Sequence, residues 1–393
     1  MASGAATLAK PETPPEIYYT NALVTEVPWS IQIVKIGRGK GLYEIQCRHA
    51  GGGALGLNTL SDQVAADTEQ GEPVAAINGG FYLRDNGQTK AYAGFPRGLQ
   101  INDGEVLSAP SGNVSLWIDY SGQPHVENVA SRFEITWPDG RITPFGLNGP
   151  RTNDAIELYT PADGASTHTI GGRELVLEPQ GGRWLPLRME HDYPARVREI
   201  RTGGNTLLSS NSMVLSLGPA IAEKFQSVTT GAVLRISIRS VPGLLNAKNA
   251  ISGGPLLLQN GQPQKIHAAP NTAYEFISML ERHPRTAFGW NDQFFFLVQV
   301  DGRQKDLSLG MTLDELSGYL VKLGCTEAVN LDGGGSSSLW FAGKVRNSPC
   351  DGHERSIANS LIVLKKKSSA DMKNSTADNS AARLERSGVN GNN

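Results

Sequence analysis

Three short apolar segments of this chain each end in consecutive glycines, and this pattern constrains the fold more than any other feature. The segments are VAAIN before Gly79 and Gly80, NAIS before Gly253 and Gly254, and AVNLD before Gly333, Gly334 and Gly335. Short apolar runs bounded by turn residues are typical of buried strands. Glycine at a strand end lets another backbone or a ligand approach closely. The pattern therefore predicts buried strands whose ends converge on one cleft.

A tight turn is the simpler interpretation of any single glycine pair. The run that follows Asp332, three glycines and then Ser336, Ser337 and Ser338, favours a functional loop instead. Three consecutive glycines lose more conformational entropy on folding than a plain turn requires. Because successive backbone N–H groups can form an anion-binding concavity, the amides from Gly333 to Ser336 are predicted to contact an anionic group.

Strand patterns dominate the rest of the chain. WSIQIVKI and LYEIQC flank the turn GRGKG and are predicted to pair as a hairpin. A second hairpin is predicted from Leu99 to Leu107, around the Asp-Gly turn at Asp103 and Gly104. FFFLVQV, which ends at Asp301, is predicted to be a buried strand.

Helical patterns are few. Thr312–Leu323 has a capping box between Thr312 and Glu315, leucines along one face and Gly324 after its end. Thr59–Thr68 is a second candidate. We therefore expect an α+β fold, in which strand-rich mixed sheets carry a few packed helices.

The two ends of the chain differ in composition from its middle. Residues 1–16 are rich in Ala, Thr and Pro and predict a flexible leader, whereas residues 366–393 lack aromatic residues and predict a disordered tail. Residues 17–365 are expected to form the folded domain. The first residues have no apolar core of a secretory signal. This predicts a cytoplasmic protein, or a secreted or periplasmic one if a leader was removed.

Charge and motif content exclude several classes of function. The chain has 36 Lys and Arg against 38 Asp and Glu, a formal net charge of −2, whereas a nucleic-acid-binding domain normally has a strongly basic face. No apolar run approaches the roughly 20 residues that cross a bilayer. The Walker, GxSxG, CxxC and HExxH motifs are all missing from the sequence. We expect no nucleic-acid partner, no transmembrane segment, no metal and no cofactor.

A polar cluster at His283, Arg285 and Thr286 precedes the FFFLVQV segment. Arginine offers a planar, permanently charged fork that matches a phosphate or a carboxylate. A lone arginine is more often a surface or ion-pair residue, so this segment alone does not establish an anion site. Asp301 and Arg303, which follow the strand, by themselves predict a hairpin turn.

Taken together, these motifs resemble the phosphodiester glycosidase family, which includes N-acetylglucosamine-1-phosphodiester alpha-N-acetylglucosaminidase and bacterial proteins related to exopolysaccharide biosynthesis. The resemblance covers about residues 20–365 and is most specific in the block ending NLDGGGSSS. The other matching motifs are INGGFY, GLQINDGEVL, LNGPRTNDAIELYTP, SGGPLLLQNG and HPRTAFG. Ser338 and Phe288 depart slightly from the family pattern. The LNGPRTNDAIELYTP segment resembles the opening of an insert found in bacterial members, here about residues 134–241.

The resemblance implies hydrolysis at the anomeric carbon of a sugar joined through phosphate, of the alpha-N-acetylglucosaminyl-phosphate type. Free sugar and a phosphomonoester are the products. A phosphomonoester leaves already ionised, since its second pKa lies near 6. It needs little of the general-acid help that ordinary glycosidases provide. The site then requires cationic groups, backbone amides and one carboxylate.

Residues of this sequence can supply that set. Asp332 is the predicted base or nucleophile, Arg285 the predicted phosphate clamp, and Asn78 and Asn330 the predicted contacts of sugar hydroxyls or water. The remaining predicted substrate-binding residues are Gly79, Gly80, Gly253, Gly254, His283, Thr286, Asp301, Arg303, Gly333, Gly334, Gly335, Ser336 and Ser337. The catalytic carboxylate could instead come from Asp85, Asp292, Glu315 or Glu354, and Asp332 could simply accept hydrogen bonds from its own turn.

Two other functions stay open at this point. The protein could be a glycosidase or transglycosidase that acts on a bacterial polysaccharide without phosphate. It could also be a carbohydrate-binding protein that has kept the cleft without catalysis. All three hypotheses predict a carbohydrate or sugar-phosphate ligand.

Overall fold

The computed structural model describes residues 16–39, 41–50, 54–66, 71–85, 90–266 and 279–366. The predicted leader and tail lie almost wholly outside these residues. Within them, strands predominate. The first twelve strands are β1 (Ile17–Val24), β2 (Trp29–Gly37), β3 (Tyr43–His49), β4 (Glu72–Asn78), β5 (Gln100–Asn102), β6 (Glu105–Ser108), β7 (Ser111–Asp119), β8 (Pro124–Thr136), β9 (Ile142–Pro144), β10 (Gly146–Leu147), β11 (Ile156–Tyr159) and β12 (Arg173–Pro179).

The second half of the chain has the same character. Its strands are β13 (His191–Thr202), β14 (Met213–Leu217), β15 (Val233–Val241), β16 (Ala247–Ser252), β17 (Leu256–Gln259), β18 (Gln262–Pro263), β19 (Arg285–Trp290), β20 (Phe294–Val300), β21 (Glu327–Asn330), β22 (Leu339–Phe341), β23 (Lys344–Val345) and β24 (Asn359–Lys365). The α-helices of the described residues are α1 (Leu60–Ala65), α2 (Pro219–Ala222) and α3 (Leu313–Lys322). Single turns of 3₁₀ helix occur at Lys90–Tyr92, Pro161–Asp163, Glu223–Phe225 and Gly334–Ser336.

The described strands form three sheets. The first has seven strands in the order β1-β2-β20-β19-β21-β17-β18, and the second has five in the order β23-β22-β4-β24-β3. The third has twelve strands in the order β10-β11-β14-β12-β13-β15-β8-β7-β16-β5-β6, with β9 beside β8. Residues 134–241, which were predicted to form an insert, supply the end of β8 and all of β9 to β15 in this largest sheet.

Apolar side chains pack on both faces of the two smaller sheets. Between the seven- and five-stranded sheets lies a core that includes Ile36, Ile77, Phe288 and Leu361. The outer face of the seven-stranded sheet packs against leucines of α3, and the outer face of the five-stranded sheet packs against α1. This part of the chain is therefore layered as helix, sheet, sheet, helix.

Two predictions about the fold need correction. The strand-rich character is confirmed, but the fold is mostly β and not clearly α+β, since helices are few and short. Mixed sheets were also expected, whereas only β10 and β11 pair in parallel among the described strands. A sheet of antiparallel strands needs only tight turns, and a parallel pair needs a longer crossover.

The predicted hairpin around GRGKG is wrong as well. β2 pairs with β1 and β20 in the seven-stranded sheet, whereas β3 pairs with β24 in the five-stranded sheet. β2 and β3 each place an apolar face in the core between the two sheets. Each can bury that face while pairing with a strand that is distant in sequence. The second predicted hairpin, β5 with β6, is confirmed.

Helix α3 is formed as its sequence predicts. The Thr312 hydroxyl accepts a hydrogen bond from the Glu315 amide at 3.1 Å, and the Glu315 carboxylate accepts one from the Thr312 amide at 2.9 Å. Gly324 then adopts a φ of +87°, which glycine tolerates without strain. The helix buries Leu313, Leu316 and Leu320 against the seven-stranded sheet.

Candidate active site

The three strand ends that carry glycines meet, as the sequence pattern predicts. The Asn78 amide at the end of β4 donates to the carbonyl of Asp332 at 2.7 Å, and the Asp332 N–H donates to the carbonyl of Gly79 at 3.0 Å. After β16, the Gly254 N–H donates to the Asn330 carbonyl at 2.7 Å. These contacts join the five-stranded and twelve-stranded sheets to the seven-stranded sheet at one place.

A cavity of about 560 Å³ opens at this junction. It is large enough for a sugar and the groups attached to it, since ligand pockets measure roughly 300 to 1,000 Å³. The described residues that line it are Phe81, Tyr82, Leu83, Arg84, Arg97, Gly254, Pro255, Met279, His283, Arg285, Arg303, Leu313, Asn330, Leu331, Asp332, Gly333, Gly334, Gly335 and Arg355.

Asp332 is the one carboxylate among the described residues of the cavity wall. Burial raises its pKa, while a hydrogen bond from the Ser336 hydroxyl, the Gly333 amide and the positive charges of Arg84 and Arg355 act in the opposite direction. The Gly333 N–H lies 2.9 Å from its Oδ1 atom. The carboxylate is thus held in one orientation by its own turn and still faces the cavity.

Two arginines and a backbone carbonyl pack against the three consecutive glycines. A Cβ atom on Gly333 would lie 2.9 Å from the Pro284 carbonyl oxygen, and one on Gly334 would lie 3.2 Å from both terminal nitrogens of Arg303. A Cβ on Gly335 would overlap the guanidinium of Arg355 and the carboxylate of Asp351. Gly334 also has a φ of +61°. The glycine run is therefore explained by the close approach of neighbouring backbone and side-chain atoms.

Three of the four amides in the predicted nest, in contrast, donate within the protein. The N–H groups of Gly333 and Gly334 donate to Asp332 Oδ1 and to the Pro284 carbonyl, and those of Ser336 and Ser337 donate back within the turn. Gly253 and Gly254 likewise donate to the carbonyls of Val114 and Asn330. These N–H groups are used by the fold, so the cationic groups of the site are side chains.

Arg285 is 6% exposed and reaches the cavity from the start of β19. Its Nε–H donates to the Met311 carbonyl at 2.8 Å and one terminal nitrogen donates to the Glu281 carbonyl at 2.7 Å. Burial, together with the charge of Arg303, lowers its pKa to about 10, so it stays protonated near neutral pH. The carbonyls fix the direction of the guanidinium.

His283 and Arg303 extend this cationic wall. The Arg303 Nε–H donates to His283 Nδ1 at 3.3 Å, and the other ring nitrogen of His283 lies 3.2 Å from Glu281. Burial and the charges of Arg285 and Arg303 lower the pKa of His283. His283 is therefore neutral near pH 7 and orients Arg303.

Asn78 does not line the cavity, contrary to its predicted contact with sugar or water. It is 1% exposed, and its Oδ1 atom accepts hydrogen bonds from the Thr286 hydroxyl at 2.7 Å and the Ser338 N–H at 3.0 Å. With its amide on the Asp332 carbonyl, both ends of the side chain are engaged. Asn78 and Thr286 lie behind the site and hold Asp332 in place.

Of the other predicted residues, some line the cavity and some lie behind it. Gly254 and Asn330 line the cavity, and the Oδ1 atom of Asn330 is buried without a hydrogen-bond partner among the described residues. Asp301 does not reach it, because its carboxylate accepts hydrogen bonds from Ser30 and Ser348. The remaining members that do not line the cavity are Gly79, Gly80, Gly253, Ser336 and Ser337.

None of the alternative carboxylates lines the cavity. Glu354 accepts hydrogen bonds from Ser61 at the start of α1, and Glu315 is engaged by the capping box and by Arg282. Asp292 is exposed in the turn between β19 and β20. Asp85 follows Arg84 but is not part of the wall.

Sequence reasoning missed four polar residues of the wall: Tyr82, Arg84, Arg97 and Arg355. Tyr82 belongs to the INGGFY motif, in which Asn78 and the two glycines were the predicted site residues. The three arginines stand in segments without any local signal, and only the folded chain brings them to Asp332.

Two further properties bear on function. Among the described residues, no group of three or more His, Cys, Asp or Glu side chains is placed to hold a metal ion. None of the helices in the described part of the chain is long and apolar enough to pass through a membrane.

Comparison with known proteins finds a family match for part of the chain. Residues 195–364 match the family described as Phosphodiester glycosidase, which confirms the resemblance for this region. The match includes β19 to β24, Arg285, Arg303, Asp332 and Arg355, but not Arg84 or Arg97. A curated relative, the SPbeta prophage-derived uncharacterized protein YomE of Bacillus subtilis, is 32% identical over 118 residues, which are 30% of this chain and 17% of that protein.

Two solved structures share the fold. A hypothetical protein from Synechocystis aligns with a TM-score of 0.71 at 20% identity, over 90% of this chain and 64% of that chain. A provisionally named exported protein of Burkholderia pseudomallei aligns with a TM-score of 0.65 at 22% identity, over 86% of this chain and 74% of that one. At these identities the likeness establishes the fold alone. The chain spans only part of the first structure and a small part of the curated relative.

Proposed function

We propose, from the match of residues 195–364 to the phosphodiester glycosidase family, that the protein hydrolyses the glycosidic bond of a sugar-1-phosphodiester. The sugar is released and a phosphomonoester remains. The proposed sugar is alpha-N-acetylglucosamine, as the family resemblance implies.

One observation carries the proposal: a single described carboxylate, Asp332, faces a cavity whose wall holds five arginines. A glycosidase with an alcohol leaving group uses two carboxyl groups, one of them as general acid. A phosphate leaving group departs as an anion, and guanidinium groups stabilise that developing charge. The wall suits the second reaction better than the first.

The residues then take distinct roles. Asp332 acts at the anomeric carbon, as a base towards water or as a nucleophile. Arg285 and Arg303 hold the phosphate over the glycine turn, with Arg285 aimed by the Met311 and Glu281 carbonyls. Asn330, whose Oδ1 atom lacks a partner among the described residues, accepts a hydrogen bond from a sugar hydroxyl. Asn78 is a positioning residue, since it touches Asp332 and not the cavity.

Hydrolysis of an alpha-N-acetylglucosaminyl phosphodiester such as UDP-N-acetylglucosamine tests the proposal. Free sugar is measured for the parent protein, for Asp332→Asn and for Asp292→Asn, a matched control with an exposed carboxylate outside the cavity. We expect Asp332→Asn to lose roughly 10²- to 10⁴-fold in kcat and Asp292→Asn to resemble the parent.

Release of no sugar from a broad panel of sugar phosphodiesters would overturn the proposal. The two alternatives give different results. A glycosidase on phosphate-free polysaccharide predicts that Arg285→Ala impairs activity less than Asp332→Ala. A binding protein predicts affinity without turnover and an Asp332→Asn variant that binds as well as the parent.

A further inference from the structure

Two arginines of the cavity wall are not balanced by a described carboxylate. Five arginines line the wall, and Asp332 is its one described carboxylate. Arg355 has an ion-pair partner in Asp351 at 2.6 Å. Within the described part of the chain, no carboxylate lies within ion-pair distance of Arg97 or Arg303. Anionic charge beyond the scissile phosphate is therefore expected from the ligand.

Arg355 shows where that charge would bind. Its Nε and Nη2 atoms donate to Asp351 at 3.0 and 2.6 Å, whereas its Nη1 atom is buried without a hydrogen-bond partner among the described residues. A buried donor that is left unpaired is unfavourable. An anionic acceptor in the cavity would satisfy it.

Arg303 and Arg355 contact neighbouring residues of the glycine turn. Arg303 lies against Gly334 and Arg355 lies against Gly335, the next residue along the turn. Consecutive Cα atoms are about 3.8 Å apart, so the two guanidinium groups approach the turn at neighbouring points. Two anionic groups that are close together in one ligand fit this arrangement.

We propose that the substrate carries a second anionic group on the aglycone, next to the scissile phosphate, and that Arg355 binds it while Arg97 adds positive charge at the cavity surface. The position of the scissile phosphate, at Arg285 and Arg303, rests on the proposed function. The second anion can be the next phosphate of a diphosphate or an anionic group on an esterified alcohol.

Three ligands with the same sugar separate these cases. They are the methyl ester of alpha-N-acetylglucosamine 1-phosphate, its ester with glycerol 3-phosphate, and UDP-N-acetylglucosamine. Their affinities for Asp332→Asn are measured by titration calorimetry, so that no ligand is hydrolysed. We expect both ligands with a second anion to bind about tenfold tighter or more than the methyl ester, as a charge-assisted hydrogen bond predicts.

Arginine variants in the Asp332→Asn background locate the effect. Arg355→Gln and Arg97→Gln should each reduce the preference for the anionic aglycones, Arg355→Gln by about tenfold. Arg97 is exposed, so its substitution spares the fold if Arg355→Gln disturbs it. Arg196→Gln, at an exposed position of β13 away from the cavity, is the matched control and should leave the preference intact.

Equal binding of all three ligands overturns the inference, and so does a preference that survives both arginine substitutions. Tighter binding of UDP-N-acetylglucosamine alone also overturns it, since the nucleoside would then be responsible. Undetectable binding of both anionic ligands overturns the inference as well. If the parent hydrolyses none of the ligands while the anionic preference is present, the proposed function fails and the second anion site stands.

Discussion

At the scale of single residues, the glycine turn of the site owes its composition to its neighbours. Arg303 and Arg355 occupy space that side chains on Gly334 and Gly335 would need, and the Pro284 carbonyl oxygen crowds Gly333. The turn thereby brings two cations to the backbone beside Asp332. Gly334 and Gly335 let these arginines approach.

The ionisation of Asp332 gives a prediction at this scale. Burial raises its pKa above the usual value for aspartate, about 3.9, and catalysis requires the ionised form. We therefore expect kcat/KM to fall as the pH is lowered through this raised pKa. Arg355→Gln removes a positive charge that lowers the pKa of Asp332, so the acid limb should move to higher pH.

Rate profiles across about pH 3 to 8 measure this shift. Arg196→Gln serves as the control, because it also removes one arginine but lies on β13. A profile of Arg355→Gln whose acid limb stays in place, or moves to lower pH, contradicts the assigned role of Asp332.

At the scale of elements, α3 is the part of the molecule that local sequence describes best. Its capping box, apolar face and terminal Gly324 are all present in the structure. Packing of α3 on the seven-stranded sheet brings its first residue, Leu313, into the cavity wall. The helix thus supports the site from outside the sheet.

Gly318 in the middle of α3 gives a prediction at this scale. It is exposed, and a Cβ added there would meet no heavy atom within 4 Å. Gly318→Ala should raise the free energy of unfolding by up to about 1 kcal/mol, since alanine favours the helix. Thr312→Ala should lower it by about 1 kcal/mol through loss of the cap. Denaturation by urea measures both, and destabilisation by Gly318→Ala would show that the helix is restrained in another way.

At the scale of the whole molecule, the distribution of charge matters more than its sum. A chain of net charge −2 places five arginines in one cavity. It also buries acidic groups elsewhere. Burial raises the pKa of Glu157 on β11 to about 8, and burial with the nearby Glu157 raises the pKa of Asp163 to about 8.

These two carboxyls make global stability depend on pH. In the unfolded chain their pKa values are about 4.3 and 3.9, so the folded state binds their protons more tightly. The stability they contribute is fully present below about pH 4 and is lost as the pH rises towards about 8. The loss is at most about 1.4 kcal/mol per pH unit for each group.

Glu157→Gln and Asp163→Asn should remove this dependence. Each variant should gain stability relative to the parent as the pH rises from about 4 to about 8, because the neutral amide has no proton to lose. Urea denaturation at several pH values measures the difference. A difference between variant and parent that does not change with pH would contradict burial of the group in its protonated form.

Sequence alone determined the features that depend on neighbouring residues. It predicted α3, the β5–β6 hairpin, the buried strand β20 and the glycine-bounded strand ends. It also singled out His283, Arg285, Arg303, Asn330 and Asp332, which line the cavity, because each stands in a motif beside a predicted strand. Their catalytic and binding roles stay proposals.

Only the tertiary structure decided which strands pair and which side chains meet. β2 lies beside β20 instead of β3, since apolar faces are satisfied by partners distant in sequence. Asn78 became a support behind Asp332 because its strand ends in the buried junction of two sheets. Long-range sheet pairing also brings three arginines to Asp332, namely Arg84, Arg97 and Arg355. Because these residues are distant from Asp332 in sequence, no local sequence pattern predicts that they meet.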